Sequence, residues 1–173
     1  DIKGAASDIK RAIAGAKIDT DLAKKYTEDD LFEAFSRVST CNISDAFHKQ
    51  GVMIGIVPVS LKHKQKMVGR ALTVQTANGD WAKPVEAIDR VKEGDVLVVD
   101  VGGAPVAVWG ELATCSAIVM GAKGIVIDGA IRDIDDIREM GFPAFSRSIA
   151  PCAGEPKGYG GIGIEIKVGG QRV

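Results

Sequence analysis

Two short motifs in this chain combine residue types that can hold and activate an anionic ligand. The first, Trp109-Gly110-Glu111-Leu112-Ala113, follows an apolar run and a glycine pair and opens a helical pattern. A helix N-terminus has unpaired N–H groups and a positive dipole end, so the amides of Leu112 and Ala113 could hold a carboxylate. Gly110 would let the ligand approach the backbone, and Glu111 would place a second carboxylate beside it.

The second motif, Asp128-Gly129-Ala130-Ile131-Arg132-Asp133, follows another apolar run and also precedes a helical pattern. Arg132 offers a planar fork for a carboxylate or a 2-oxo acid. Asp133 offers a hard oxygen ligand for Mg²⁺ or Mn²⁺. In open α/β sheets, ligands collect beyond the carboxyl ends of strands, so we predict that the two motifs converge.

Each of these residues also has a purely structural explanation. Glu111 would complement the dipole of its own helix. Asp133 would be a good N-cap for the helix that follows, and Arg132 could pair with Asp128 or Asp136. On residue types alone, the structural explanation carries more weight than the functional one.

Strand and helix patterns alternate along most of the chain and must position these motifs. Helical patterns cover residues 1–15, 43–50, 81–91, 110–120 and 133–140, with another helix starting near Thr27 in an approximate capping box with Asp30. Strand patterns cover residues 67–76, 95–101, 124–127, 142–145 and 164–168. The alternation predicts an α/β fold with a partly parallel sheet, and the Gly- and Pro-rich residues 151–163 predict a mobile loop.

Composition excludes several classes of function. A net charge of -1 and an aromatic content of 5% argue against a nucleic-acid partner. No apolar run approaches the roughly 20 residues of a membrane helix. Cys41, Cys115 and Cys152 are odd in number and widely spaced, which predicts free thiols in a reducing cytoplasm. Cys115 lies mid-helix between alanines and is predicted to be a small core residue.

The spacing of the two motifs resembles a known signature. Glu111, Arg132 and Asp133 form the pattern acidic-x20-Arg-Asp, which is similar to that of the 4-hydroxy-4-methyl-2-oxoglutarate aldolases, enzymes that also decarboxylate oxaloacetate. Several segments resemble the wider RraA-like family, which includes both ribonuclease regulators and these metal-dependent lyases. These segments are residues 44–46, 69–74, 94–100, 109–111 and 127–133. The similarity covers about residues 27–173.

The resemblance implies an architecture and an assembly. It implies a layered β/β/α swivelling-type domain over residues 20–173, preceded by N-terminal helices, and a homotrimer or a hexamer of two trimers. Residues 1–19 are expected to form a separate helix and linker. Residues 1–13 resemble the last helix of a hexulose-6-phosphate synthase, which is fused to RraA-like domains in archaea, and a generic amphipathic helix explains them at least as well. The family continues beyond the equivalent of Gly169-Gly170, so a truncated C-terminal end is expected, without the acidic residue that catalytic relatives take from a neighbouring subunit.

The resemblance also implies a role for each site residue. Asp133 would coordinate Mg²⁺ or Mn²⁺, and Arg132 would bind the 2-oxo acid and stabilise the enolate oxygen. Glu111 would position or deprotonate the water that shuttles a proton. The amides of Leu112 and Ala113, next to Gly110, would bind the substrate carboxylate. With the metal as electron sink, no Schiff-base lysine is needed.

Three functions follow as hypotheses. The first is a metal-dependent carbon–carbon lyase that acts on a small 2-oxo acid. The second is a non-catalytic protein-binding regulator like those that mask ribonuclease E. The third is a phosphosugar-related domain that accompanies a hexulose-6-phosphate synthase. Retention of Glu111 together with Arg132-Asp133 favours the enzyme, because a binding protein has no need of that acid.

Overall fold

The computed structural model describes residues 26–173. The helix predicted over residues 1–15, its resemblance to a synthase and the predicted boundary at residue 19 lie outside the described residues. The chain divides into two compact units with a boundary between Val52 and Met53. The candidate site lies wholly in the second unit.

The first unit contains a helix that begins as its sequence predicts. This helix, α1 (Glu28–Arg37), has Thr27 as its N-cap. Thr27 Oγ1 accepts from the Asp30 amide at 3.2 Å, and Asp30 Oδ2 accepts from the Thr27 amide at 2.8 Å. The approximate capping box is therefore complete.

The next helix, α2 (Thr40–Ala46), lies earlier than the predicted residues 43–50. Ser39 caps its start by accepting a 3.1 Å hydrogen bond from the Asn42 amide. His48 and Lys49 then adopt positive φ angles of 54° and 63°. A right-handed α-helix requires negative φ angles, so the helix cannot extend through these two residues.

The second unit is built on a six-stranded sheet. Its strands are β1 (Val57–Ser60), β2 (Ala71–Thr76), β3 (Val96–Asp100), β4 (Gly124–Ile131), β5 (Ala144–Ile149) and β6 (Gly160–Ile162), in the order β1-β5-β4-β3-β2-β6. The four central strands are parallel, and β1 and β6 pair antiparallel at the two edges. The partly parallel sheet is as predicted.

Helices cover one face of this sheet. They are α3 (Ala82–Ile88), α4 (Glu111–Val119) and α5 (Ile134–Glu139), and each connects two neighbouring parallel strands. Right-handed crossovers that always step in the same direction place their helices on the same face. The main core forms there, with Leu97, Ile127 and Ile137 among its fully buried members.

A short hairpin covers part of the opposite face. Strands β7 (Lys167–Val168) and β8 (Gln171–Arg172) pair antiparallel, and Ile166 and Val168 pack against Val96, Val98 and Val126 of the sheet. Hairpin, sheet and helices form successive layers, so the predicted β/β/α layering is confirmed.

Strand β4 differs from its prediction in length. It was predicted to end at Ile127, but it continues to Ile131 with every residue buried. The parallel register with β5 shifts between Ile127 and Ala130, so the Asp128-Gly129 pair forms an irregularity within the strand rather than a loop. A Cβ on Gly129 would lie 2.9 Å from Val101 Cβ, which explains the glycine.

Two further expectations need correction. Residues 151–163, predicted as a mobile loop, contain β6 and are bonded to the body of the unit at Gly79, Asp80 and Ala107. Cys115 is exposed on α4 and not in the core, with its sulfur 3.5 Å from the Met140 sulfur. All three cysteines are free thiols, as predicted. None of the helices in residues 26–173 combines the length and apolarity needed to cross a bilayer.

Candidate functional site

Backbone hydrogen bonds lay the two motifs side by side. The Val108 amide donates to the Ala130 carbonyl at 3.3 Å, and the Arg132 amide donates to the Trp109 carbonyl at 3.0 Å. The segment after β3 therefore runs alongside the end of β4. The first motif lies beyond the carboxyl end of β3, and Arg132 and Asp133 of the second lie just beyond the carboxyl end of the adjacent parallel strand β4, where ligands bind in α/β sheets.

The N-terminus of α4 is fixed by a buried threonine. Thr114 Oγ1 donates to the Gly110 carbonyl at 2.9 Å and accepts from Trp109 Nε1 at 2.8 Å. The intrahelical ladder begins with the Thr114 amide, which donates to the Gly110 carbonyl at 3.1 Å. The amides of Leu112 and Ala113 therefore have no acceptor within the helix, as required of groups that are to bind a carboxylate.

Asp133 occupies the N-cap position of α5 but does not cap it. Its backbone is left-handed, with φ 54° and ψ 43°, and its side chain makes no capping hydrogen bond. Instead, Asp133 Oδ2 accepts from the Glu111 amide of α4 at 3.1 Å. Asp133 is therefore the N-cap residue by position only, and capping does not account for its side chain. A left-handed backbone at a non-glycine residue is a strained feature that clusters at functional sites.

Arg132 pairs with its own neighbour and not with Asp128. Arg132 Nε lies 3.4 Å from Asp133 Oδ2, and both side chains remain partly exposed. Asp128 instead pairs with Arg147 Nε at 2.5 Å and accepts from the Gly169 amide at 2.6 Å. Burial alone would raise the pKa of the Asp128 carboxyl, but these two partners outweigh it and lower that pKa.

Gly110 is required by the close approach of these side chains. A Cβ at this position would lie 2.4 Å from Asp133 Oδ2 and 3.1 Å from Arg132 Cγ. The sequence suggested that Gly110 makes room for a ligand. The structure shows that it first makes room for the Arg132-Asp133 pair.

All of the predicted site residues line a cavity of about 480 Å³. Its walls include Gly110, Glu111, Leu112, Ala113, Arg132 and Asp133. This volume falls in the range of small-molecule sites. The structure thus brings together every residue that the two motifs nominated.

One wall of the cavity was not predicted from the sequence. It comes from α3 and its flanks and presents Trp81, Val85, Glu86, Ile88 and Asp89. Trp81 Nε1 donates to the Gly154 carbonyl at 3.1 Å, which fixes the indole. The helical pattern of this segment was visible in the sequence, but its position across from α4 depends on the order of strands in the sheet.

The carboxylate of Asp80 holds the segments next to this wall together through hydrogen bonds. It is fully buried, and its carboxylate accepts from the amides of Ala82, Lys157 and Tyr159 at 3.0, 2.9 and 2.8 Å. Burial would raise the pKa of Asp80, but the surrounding amides together lower it to about 2. In the sequence, Asn78-Gly79-Asp80 is typical of a turn, and the family resemblance places this loop near the site, but neither predicts a buried anchor.

The donor set for a divalent cation is small. Within residues 26–173, no group of three or more His, Cys, Asp or Glu side chains is arranged to hold a metal. Mg²⁺ needs fewer protein ligands than that, because it typically keeps several waters and binds one or two carboxylates. The partly exposed Asp133 carboxylate, with Glu111 in the same cavity, fits such a site.

Comparison with known proteins identifies the family of this chain. The model of the RraA-like family, described as Aldolase/RraA, matches residues 40–173. An uncharacterized protein of Methanocaldococcus jannaschii is 35% identical over 130 residues, which are 74% of this chain and 61% of that protein. A Halalkalibacterium halodurans protein with the provisional name of a 4-hydroxy-4-methyl-2-oxoglutarate aldolase is 34% identical over 144 residues, which are 83% of this chain and 68% of that protein.

A solved structure shares the fold. The RNA-processing inhibitor RraA from Thermus thermophilus superposes with a TM-score of 0.70 and 24% identity, covering 79% of this chain and 83% of the inhibitor. That identity supports the fold alone. The family model over residues 40–173 and the relative at 34% identity show that the chain belongs to the RraA-like family.

Proposed function

We propose that this protein is a divalent-metal-dependent lyase that cleaves or decarboxylates a small 2-oxo acid. The observation that carries the proposal is the hydrogen bond between the Glu111 amide and Asp133 Oδ2, which holds Glu111, Arg132 and Asp133 together in one cavity. The names of aldolase relatives support the reaction class.

Substrate binding relies on positive groups at one end of the cavity. The substrate carboxylate accepts hydrogen bonds from the Leu112 and Ala113 amides at the N-terminus of α4. Arg132 donates to the 2-oxo oxygen from its planar guanidinium. Asp133, bonded to Arg132, keeps that guanidinium in orientation.

The reaction breaks the bond between C3 and C4 of a 4-hydroxy-2-oxo acid. The proton leaves the 4-hydroxyl, the electron pair of the broken bond moves toward the 2-oxo oxygen, and C3 is then protonated to give pyruvate and a carbonyl product. For oxaloacetate, the same electron movement releases carbon dioxide, and a solvent water supplies the proton that C3 takes up. Glu111 accepts and returns the proton, and Arg132 stabilises the negative charge that develops on the oxygen.

Mg²⁺ or Mn²⁺ would be held by Asp133, with Glu111 nearby. When bound, the cation supplies Lewis-acid polarisation of the 2-oxo group. The proposal therefore requires no lysine that forms a Schiff base.

Assembly is part of the proposal. A homotrimer, or a hexamer of two trimers, follows from the family resemblance, and α4 exposes large apolar side chains suited to an interface, such as Leu112 and Val119. The acidic residue that catalytic relatives take from a neighbouring subunit would complete the site.

The alternative is a regulator that binds a protein partner. Its support is the fold shared with an RNA-processing inhibitor. The gathering of Glu111, Arg132 and Asp133 around one cavity favours the enzyme, because a surface that only binds a protein partner does not need a cavity of small-molecule size. The fused synthase and its phosphosugar chemistry remain a prediction that concerns residues outside the described range.

The test is release of pyruvate from 2-oxo acids by the purified protein. Substrates are oxaloacetate and 4-hydroxy-2-oxo acids, with Mg²⁺, with Mn²⁺ and with a chelator. Activity that depends on the cation supports the lyase. Inactivity on every acid, with the protein folded and oligomeric, favours the regulator.

A further inference from the structure

A buried side-chain hydrogen bond connects Trp109 with the first turn of α4. The indole Nε1 donates to Thr114 Oγ1 at 2.8 Å, and that hydroxyl donates to the Gly110 carbonyl at 2.9 Å. Both side chains are buried, Thr114 completely. The bond is therefore made within one chain and needs no group from a neighbouring subunit.

Trp109 is also bonded to the second motif through its backbone. Its carbonyl accepts from the Arg132 amide at 3.0 Å. Trp109 thus contacts the α4 segment with its indole and the Arg132 segment with its main chain. The position of α4 relative to Arg132 therefore depends on how the indole of Trp109 is held.

Taken singly, the two bonds of the Thr114 hydroxyl have ordinary structural explanations. A threonine hydroxyl in a helix often bonds the carbonyl four residues earlier, and a buried indole N–H needs an acceptor. The location of this pair goes beyond those explanations. Leu112 and Ala113, whose amides have no acceptor within the helix, line the same cavity as Arg132, and the Trp109–Thr114 bond lies between these two sets of groups.

We infer that Thr114 and Trp109 are positioning residues that set the distance between the α4 amides and the Arg132 guanidinium. The inference rests on the proposed function, in which those amides bind the substrate carboxylate and the guanidinium bonds the 2-oxo oxygen. These two substrate groups are on adjacent carbons, so covalent geometry fixes their separation. A shift of α4 by about 1 Å would misalign one of the two contacts, and a misplacement of that size can cost about a hundredfold in rate.

The first experiment compares two substitutions of the threonine. Thr114→Val removes the hydroxyl and keeps the branched shape, whereas Thr114→Ser keeps the hydroxyl. Pyruvate release from oxaloacetate is measured for the full chain with excess Mg²⁺. We expect Thr114→Val to lower kcat by about tenfold or more and to change KM by less than about threefold, because the misalignment acts in the transition state. Thr114→Ser should keep kcat within about threefold of the parent.

The second experiment removes the other partner of the bond. Trp109→Phe deletes the indole donor and keeps an aromatic ring. If the bond itself positions the site, Trp109→Phe also lowers kcat, and the double variant with Thr114→Val is no slower than the slower single variant. Losses that multiply in the double variant would show two independent packing effects and would overturn the inference.

Ser60→Ala is the matched control for loss of a buried hydroxyl. Ser60 is buried, and its Oγ donates to the Phe142 carbonyl at 2.8 Å, near the amino end of β5 and away from both motifs. Thermal unfolding should show that Ser60→Ala loses stability, as Thr114→Val does, while its kcat stays at the parent value. A similar fall in kcat in the control would reduce the role of Thr114 to general stability and would overturn the inference.

Amide hydrogen exchange decides the inference if the parent cleaves no 2-oxo acid. Exchange of the Arg132 amide, which Thr114 does not contact, should be about tenfold faster in Thr114→Val than in the parent, relative to the Ile125 amide of β4. The Ile125 amide donates to the Pro143 carbonyl at 3.0 Å and reports on the sheet.

The outcomes separate the inference from the proposed function. In an active protein, a normal kcat in Thr114→Val, or a Thr114→Ser variant as slow as Thr114→Val, overturns the inference and leaves the lyase intact. In an inactive protein, the proposed function fails. Faster exchange of the Arg132 amide then supports the positioning role of Thr114, and exchange unchanged relative to Ile125 overturns it.

Discussion

The Glu111 amide donates a 3.1 Å hydrogen bond to Asp133 Oδ2, so one acidic site residue holds the backbone of the other. This bond joins the start of α4 to the loop after β4, two segments that are 22 residues apart in the chain. It also directs the Asp133 carboxylate away from its own helix. Changes at either residue therefore alter the site more than the fold.

Gly110→Ala tests how closely the site is packed. The added methyl group would lie 2.4 Å from Asp133 Oδ2, and that carboxylate would have to rotate off the Glu111 amide. Because the displaced atoms end a flexible side chain, we expect a small loss of stability, below the 1–3 kcal/mol that is typical of roughly one overpacked methylene, and a large loss of pyruvate release. Thermal unfolding and the rate assay separate the two effects. A variant with full activity would show that the bond is dispensable.

Arg132→Lys tests the guanidinium. Lysine keeps the positive charge but loses the fork that can bond the substrate and Asp133 together. We expect kcat to fall about a hundredfold or more, as after loss of one donor to a developing oxyanion. The measurement is steady-state pyruvate release at saturating Mg²⁺. A rate within a factor of about two of the parent would leave Arg132 with a purely electrostatic role.

Glu111→Gln tests proton transfer. Glutamine keeps the size of the side chain, and the backbone amide still donates to Asp133, so substrate binding should persist. We expect kcat to fall by about 10²-fold or more while KM changes little, because a general acid–base group acts in the transition state. A rise in KM at constant kcat would instead assign Glu111 to binding.

Asp80→Asn tests the anchor beneath the α3 wall. The folded pKa of about 2 lies below the ordinary value of 3.8, so the carboxylate stabilises the fold above that ordinary value and loses this effect as pH falls toward 2. An asparagine leaves an amide donor facing backbone N–H groups, and we expect a loss of about 1–3 kcal/mol at neutral pH. Urea unfolding at neutral pH and near pH 3 measures both the loss of stability and its dependence on pH.

The difference in the free energy of unfolding between Asp80→Asn and the parent should become smaller as the pH is lowered. Asp135→Asn, which changes an exposed carboxylate on α5, is the matched control and should alter stability little. If this difference is absent at neutral pH, or becomes larger in acid, the Asp80 carboxylate does not stabilise the fold as described.

Local patterns predicted much of the fold. The capping box at Thr27 and the strand–helix alternation both depend on residues close in sequence, and each is present. Strand β4 was predicted too short, because Asp128 and Gly129 are typical of a loop. Here, Arg147 and the Gly169 amide satisfy the Asp128 carboxylate within the sheet.

The residues of the candidate site could be nominated from the sequence, but their geometry could not. Glu111, Arg132 and Asp133 could be nominated from spacing, whereas the left-handed Asp133 backbone and its bond to α4 depend on the tertiary approach of two loops. The α3 wall and the role of Asp80 were missed for the same reason. Cys115 was placed in the core because its neighbours are apolar, but α4 is apolar around more than one face.

The measurement that tests the central claim most directly is cation-dependent pyruvate release by the parent, Asp133→Asn and Asp133→Ala. Asparagine tolerates the left-handed backbone and retains an acceptor for the Glu111 amide, but it removes the charge that holds Mg²⁺. We predict that the parent is active with Mg²⁺ or Mn²⁺ and inactive with a chelator, and that both folded variants are inactive under either condition. A parent whose rate ignores the chelator, or an Asp133→Asn variant as active as the parent, would contradict a metal-dependent lyase.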